Sequence, residues 1–379
     1  MSNPGTSVAG ERAPIDLAAV RAETPGCQAF IHFNNAGASL PPRPVTDAIL
    51  QYTAREALAG GYELAETAAA DIESTYDAIA ELLGAQRHQI ALVENATRAW
   101  DMAFYGIPLA EGDRILTCRS EYASNYLAYL HARRRCGVRI DVIPDTQAGD
   151  LDIEAAARMM DRDVKLISIT HVPTSSGLVN PARALGQLAR KAGCYYLLDA
   201  CQSAGQIPLD VQEIGCDFLS STGRKFLRGP RGTGFLYASD RALAEIEPPF
   251  VDGRAATWIS TDTFELRDDA RRYENWEFNH ATRVGLGVAA RYAATIGVGA
   301  IWTRVQALAR RLRERLSDCP GITVRDRGST RCAIVTFTCE GHSAGSLSDV
   351  VRASVHYYNT EEEVDCVAEA LEKSLHPMQ

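Results

Sequence analysis

The chain carries 379 residues, 46% of them hydrophobic and 23% charged, with a formal net charge of −9. That length exceeds one ordinary hydrophobic core and predicts a large domain beside a smaller one, while the acidic balance argues against nucleic acid, whose phosphates require a basic face. No apolar run reaches membrane-spanning length, and the first thirty residues lack a basic start before an apolar core, so a cytoplasmic protein with no membrane partner is expected.

Residues 1–20 read as an N-terminal tail, its first ten small and polar. From 45 to 83 the apolar spacing is helical, weakened at Gly60-Gly61, where two glycines allow a bend or a loop. Short apolar strands then alternate with amphipathic helices: strands over 89–93, 114–118, 138–143, 164–170 and 195–198, helices over 97–105, 126–136, 155–160 and 182–192. This rhythm predicts an α/β fold with a mostly parallel central sheet covered on both faces and active-site groups at strand ends. Alternation stops near Arg254. Helices over 283–296 and 299–316, strands over 322–325, 332–338 and 350–357, and a closing helix over 361–375 then predict a smaller α+β domain. The expected organisation is a large domain over 45–254 and a small domain built from 21–44 and 255–379.

Ten cysteines are scattered without a Cys-x-x-Cys pair, which makes zinc ligation and a disulfide framework poor readings. No metal is expected, and most of these thiols read as small buried hydrophobes.

Lys225 is one of only four lysines. It ends Ser220-Ser221-Thr222-Gly223-Arg224-Lys225, ahead of the glycine-rich Arg228-Gly229-Pro230-Arg231-Gly232-Thr233-Gly234. A lysine that condenses with a carbonyl must lose its proton easily and have little freedom to wander, which a polar, backbone-dense turn provides. Twenty-six residues earlier, Tyr195-Tyr196-Leu197-Leu198-Asp199 ends a buried strand in a carboxylate. Pyridoxal phosphate acts as an electron sink only while its ring nitrogen stays protonated, and an ionised carboxylate beside that nitrogen keeps the proton there. Taken singly, Asp199 reads equally as a helix cap and Lys225 as a surface lysine; their order and spacing together favour the cofactor.

The motifs Phe33-Asn34-Asn35-Ala36-Gly37-Ala38-Ser39, Leu198-Asp199-Ala200-Cys201-Gln202-Ser203, the lysine segment and Val351-Arg352-Ala353-Ser354-Val355-His356-Tyr357 follow one another in order. Through them nearly the whole chain resembles the class V aminotransferases and cysteine desulfurases, fold-type I enzymes that use pyridoxal 5'-phosphate. Gly60-Gly61-Tyr62-Glu63, Ser120-Glu121-Tyr122 and Ala281-Thr282-Arg283-Val284-Gly285 look most like the branch holding isopenicillin N epimerase-like proteins and hercynylcysteine sulfoxide lyase.

The resemblance implies a site. Thr97 and the amide of Ala96, at a strand end and helix start where the dipole favours an anion, would take the cofactor phosphate together with Thr222 and Arg224. Tyr122 would stack on the cofactor ring where many relatives carry histidine; with an ordinary pKa of about 10 it is no imidazole base at neutral pH. Gln202 would face the phenolic oxygen, and Thr174 stands where many relatives carry asparagine. Arg352 is the candidate for the substrate α-carboxylate, since a planar guanidinium grips a carboxylate in a fork and so selects which Cα bond breaks. Asn35 and Ala36 would line the same pocket. His171 reads equally as a core histidine. Relatives share their sites between subunits, so a homodimer is expected, with Asn279, His280 or Thr282 reaching the partner's phosphate.

One stretch departs from the pattern. Between Cys339 and Val351 relatives generally fit a helix, a strand and a loop, and in cysteine desulfurases that loop carries a persulfide-forming thiolate. Here residues 340–350 make the whole connection and none is cysteine; Cys339 reads as structural. The expected reaction is therefore carbon–sulfur cleavage in a cysteine-derived amino acid, with Lys225 moving the Cα proton and no enzyme thiol required. Aminotransfer or epimerisation is the nearest alternative, cysteine desulfuration the third. Outside that class stands a non-catalytic scaffold of the same fold, against which the intact Lys225 and Asp199 argue.

Overall fold

A computed structural model describes residues 15–343 and 350–375 of the chain. The expected polar tail over 1–10 and residues 344–349 of the short connection lie outside the described residues.

Seven strands form the central sheet: β1 Ile90–Val93, β2 Arg114–Cys118, β3 Arg139–Ile143, β4 Val164–Thr170, β5 Tyr195–Asp199, β6 Phe218–Thr222 and β7 Gly234–Ala238. Their order is β1-β7-β6-β5-β4-β2-β3. All pairs are parallel except those of β7, which runs antiparallel to both β6 and β1. The central strands are apolar throughout because both faces are covered. Leu166, Leu197 and Phe218 turn to one face, Ile167, Leu198 and Leu219 to the other, the two-residue period of extended chain. Trp100 and Phe104 of helix Ala96–Phe104 and Tyr129 of helix Ala123–Cys136 close the first face; Leu185 and Ala189 of helix Ala182–Ala192 close the second. Each such large apolar side chain contributes about 1.5–3 kcal/mol by leaving water.

The helical stretch over 45–83 breaks twice, into Arg43–Ala59, Gly61–Thr67 and Ala69–Leu83. The first break falls at Gly60, whose φ of 89° suits glycine because a Cβ resists that region. The second, at Ala68, carries no breaker residue in the sequence.

A second sheet joins β10 Ile322–Val324, β11 Ile334–Cys339 and β12 Val351–Ser354, all antiparallel, against helices Val298–Ser317 and Glu361–Leu375. Two of these strands are displaced from the expected ranges. Cys332 leaves the ladder to donate its N–H to the Gly177 carbonyl at 2.8 Å, and past Ser354 the His356 N–H is drawn to Asn359 Oδ1 at 2.7 Å, turning the chain away. Asn34 bridges to Ser354, which ties the N-terminal segment to this sheet. A hairpin, β8 Ala256–Ser260 with β9 Thr263–Leu266, occupies a stretch whose sequence suggested no strand. Among the described residues no single helix is long and apolar enough to cross a membrane.

Candidate active site

The parallel strands and the reversed β7 bring several chain ends to one edge of the sheet. Asp199 ends β5, Thr222 ends β6, Thr170 ends β4, and Gly234, paired with both Val93 and Thr222, begins β7. An open cavity of about 600 Å³ lies there, lined by Ala96, Thr97, Tyr122, Thr174, Asp199, Gln202, Thr222, Arg224 and Lys225. Asn95, Asn125, Thr170 and Cys201 complete the lining; the sequence reading did not single these out.

Each group is held by its own local structure. Asn95 caps helix Ala96–Phe104 by accepting the Arg98 N–H at 2.9 Å, and Ala96 and Thr97, whose first-turn amides no helix can satisfy internally, line the cavity. Gly234 sits flush beneath this turn: an added Cβ would fall 2.6 Å from the Asn95 carbonyl carbon and 2.9 Å from the Ala96 nitrogen. The Thr222 hydroxyl donates to the Thr233 carbonyl at 3.1 Å. Arg224 hydrogen-bonds the Gly37 carbonyl through its guanidinium and receives the Ser39 N–H on its own carbonyl at 2.9 Å. Lys225, only 9% exposed, has its carbonyl held by the Arg228 N–H at 2.9 Å.

Asp199 accepts the Cys201 N–H at 2.9 Å on one oxygen and Asn125 Nδ2 at 3.0 Å on the other. Asn125 also donates to Glu121 at 3.0 Å, and Glu121 takes the Tyr122 N–H at 2.8 Å, the Thr170 N–H at 3.1 Å and the Thr117 and Thr170 hydroxyls. Burial pushes the Glu121 carboxyl up, the Thr170 hydroxyl pulls against it, and the Asp199 charge adds to the rise. This carboxylate–amide–carboxylate chain braces Asp199 and Tyr122 from behind. Its signal in the sequence was the Ser120-Glu121-Tyr122 motif, but nothing in the spacing tied Asn125 to Asp199.

The three residues expected around the substrate, Arg352, Asn35 and Ala36, are not among the residues that line the cavity. Arg352, half-buried on β12, donates to the Thr174 carbonyl at 3.4 Å and to Asn34 Oδ1 at 3.3 Å. Burial lowers its pKa, and the neighbouring Arg224 charge lowers it further. Arg352 also reads as a surface partner of the acids at 361–363, but Glu361 is paired with Arg304 and Glu363 with Arg21. Asn35 is fully buried, donating to the Ser354 carbonyl at 2.7 Å and accepting the Tyr358 hydroxyl. Ala36 is buried too, its N–H on Ser354 Oγ at 2.8 Å and its carbonyl receiving Gln202 Nε2 at 3.2 Å. Asn35 and Ala36 thus brace the segment that supports Gln202 and are not among the lining residues. Asn279 caps helix His280–Ile296 through the Thr282 N–H at 2.9 Å, and His280 stacks on Tyr52. His171 is a core residue, burial holding its pKa down at about 4.

The cavity fits pyridoxal 5'-phosphate. Gln202 Oε1 is buried without a hydrogen-bond partner, the Asn95–Thr97 turn rests on a glycine that leaves its amides room, and a buried lysine amine shares the space with Asp199. When bound, the cofactor supplies a carbonyl for Lys225 and a ring that takes up the electron pair released at Cα. With the sheet order and this edge, the molecule is a pyridoxal-phosphate-dependent enzyme of fold-type I.

The chain belongs to the aminotransferase class-V family, whose profile matches residues 31–350. It is similar to a probable cysteine desulfurase of Xylella fastidiosa (strain 9a5c), 31% identical with 98% of this chain and 96% of the relative covered. It is also similar to one of Halobacterium salinarum, 29% identical with 97% and 98% covered. Among solved structures, the cysteine desulfurase of Thermococcus onnurineus NA1 matches with a TM-score of 0.88 at 26% identity, over 97% of this chain and 99% of that one.

Proposed function

We propose that the enzyme cleaves the carbon–sulfur bond of a cysteine-derived amino acid by elimination. The observation that carries this reading is the meeting of Lys225 and Asp199 in one cavity with Arg352 hydrogen-bonded at 3.4 Å to the carbonyl of Thr174, one of the lining residues. A guanidinium so placed can take the substrate α-carboxylate in a charge-assisted fork, while Arg224 stays with the cofactor phosphate. Lys225 removes the Cα proton, the electron pair forms the Cα–Cβ double bond, the Cβ–S bond breaks, and the departing thiolate takes a proton. Water then hydrolyses the remaining enamine. The balance is R–S–CH2–CH(NH3+)–COO− plus H2O giving R–SH, pyruvate and NH4+.

No enzyme thiol enters this sequence, which suits the chain. Residues 340–350 contain no cysteine. Among the described residues the one cysteine lining the cavity is Cys201, whose thiol burial and then the Asp199 charge push well above its usual range, the opposite of what a sulfur acceptor needs. The names of the relatives favour a second reading, desulfuration of cysteine to alanine with sulfur passed to an acceptor. Against it, the alignment to the Xylella relative runs over 404 positions for a chain of 379 residues, so that relative carries segments this chain lacks. We further propose a homodimer with shared sites.

The test is product identity. Purified holoenzyme should yield pyruvate and ammonium from each substrate, together with a thiol from S-alkylcysteines, cysteine persulfide from cystine and sulfide from cysteine. Alanine from cysteine, with the sulfur appearing as sulfide only when a thiol reductant is added, would establish the desulfurase, and keto acid formed only with an amino acceptor present would establish aminotransfer.

A further inference from the structure

Next to the cofactor cavity, and sharing Tyr122 and Thr174 with it, lies a broader open vestibule of about 1980 Å³. Its charges are not balanced. Of the two carboxylates among its described lining residues, Asp326 is turned inward with its side chain 0% exposed, paired with Arg313 at 2.6 Å and holding the Thr336 N–H and hydroxyl at 2.8 and 2.7 Å. Glu121 spends both oxygens on the network behind Tyr122. Arg119 is paired with Asp145 at 3.3 Å. Arg325 and Arg327 are exposed and have no carboxylate partner among the described residues; Arg325 is held by Thr338 Oγ1 at 3.1 Å. In a chain with a net charge of −9, the described lining residues of the vestibule thus carry unpaired positive charge.

Two independent features there also suit an anion. Helix Ala123–Cys136, fourteen residues long, opens onto the vestibule at Ala123 with no side-chain cap at Tyr122, and an uncapped N-terminus of that length carries partial positive charge and free amides. Ser176, a lining residue only 8% exposed, keeps a buried hydroxyl without a hydrogen-bond partner, a cost that a ligand oxygen would relieve.

We propose that this vestibule binds a carboxylate carried on the sulfur substituent of the substrate, making the enzyme selective for anionic S-conjugates of cysteine. The inference rests on the carbon–sulfur cleavage proposed above. With the α-carboxylate at Arg352, which hydrogen-bonds the Thr174 carbonyl at the boundary between the two spaces, a substituent on sulfur leads past Tyr122 and Thr174 into the vestibule. Arg325 and Arg327 then meet its far end and set specificity without touching the reacting bonds.

The experiment compares two isosteric conjugates, S-(2-carboxyethyl)cysteine and its neutral amide S-(2-carbamoylethyl)cysteine, by kcat/KM for pyruvate release from the holoenzyme. The acid should be preferred about tenfold at low salt, as expected for charge-assisted contacts at a solvent-accessible site, and the ratio should shrink as ionic strength rises. In the double variant Arg325→Gln with Arg327→Gln the ratio should fall to about one. A wild-type ratio near one, or a preference that survives the double variant, overturns the proposal. If neither conjugate releases pyruvate the elimination reading fails instead. The vestibule is then judged by spectral titration of the bound cofactor with the same pair: tighter binding of the acid that is lost in the double variant supports it, and equal binding refutes it.

Discussion

At Lys225 the chemistry depends on a single amine whose turn is held at both ends, Ser39 on the Arg224 carbonyl and Arg228 on its own. Lys225→Ala should leave no cofactor that borohydride can fix to the chain, and turnover should vanish; a variant that keeps normal activity would remove the lysine from the reaction. Arg352→Ala should leave that fixation intact while weakening amino acid binding by about 1.5–3 kcal/mol, roughly ten- to a hundredfold, because a charge-assisted fork is lost. Unchanged affinity would mean that another arginine, such as Arg254 or Arg283, holds the α-carboxylate. His171 offers a pH signature. Its folded pKa, depressed by burial from 6.5 to about 4, means that the unfolded chain binds more protons in that interval, so His171 contributes stability above pH 6.5 that is lost as pH falls toward 4. Thermal melts across that window should decline, and His171→Gln should flatten the part due to this ring.

Among the elements, the turn between β1 and helix Ala96–Phe104 and the start of β7 act as one unit, since Gly234 pairs with Val93 and Thr222 and lies under the Asn95–Ala96 peptide. Gly234→Ala should displace that turn and reduce cofactor retention in dialysis far more than it lowers the melting temperature. Retention equal to the parent chain would mean that the turn has room to give. This sheet was legible because strands covered on both faces are apolar along their length, and Asp199 and Lys225 stood out as charges where such strands end. Hairpin β8–β9 was not legible: Trp258, Ile259 and Phe264 point into solvent, so within this chain no buried face imposes a pattern. The site was readable where a residue meets the cofactor cavity by its own backbone position and unreadable where it acts through a neighbour. Asn125 reaches Asp199 across 74 positions of sequence, and Asn35, with no charge to betray it, pins Ser354 from 319 positions away. Arg228 shows the same limit. It holds a φ of 62°, unusual for a residue with a Cβ, and is buried with its guanidinium on the Leu40 carbonyl and the Tyr357 and Thr24 hydroxyls, a clasp that nothing local in the sequence announced.

The whole molecule leaves one face unaccounted for within a single chain. Trp258 is 79% exposed and Phe250 and Trp276 each 61%, large aromatic rings that the described residues leave uncovered. Two of them share one stretch: the Trp276 N–H reaches Asp252 at 2.8 Å, two residues after Phe250, and Arg98 lies over the Phe250 ring at 5.2 Å. Arg98 follows Thr97 in the first turn of helix Ala96–Phe104, so the apolar face borders the phosphate end of the cavity. A second copy covering this face would bury the aromatics and close that end at once, which is why we expect a homodimer whose stability and cofactor retention are coupled. Sedimentation should give a dimer at micromolar concentration, and Trp258→Asp, which puts a charge where nothing in this chain packs, should shift it toward monomer and loosen the cofactor while leaving the melting of each subunit's core cooperative. A parent protein that sediments as a monomer with full activity would refute the shared site, and a Trp258→Asp dimer as tight as the parent would place the subunit contact on another face.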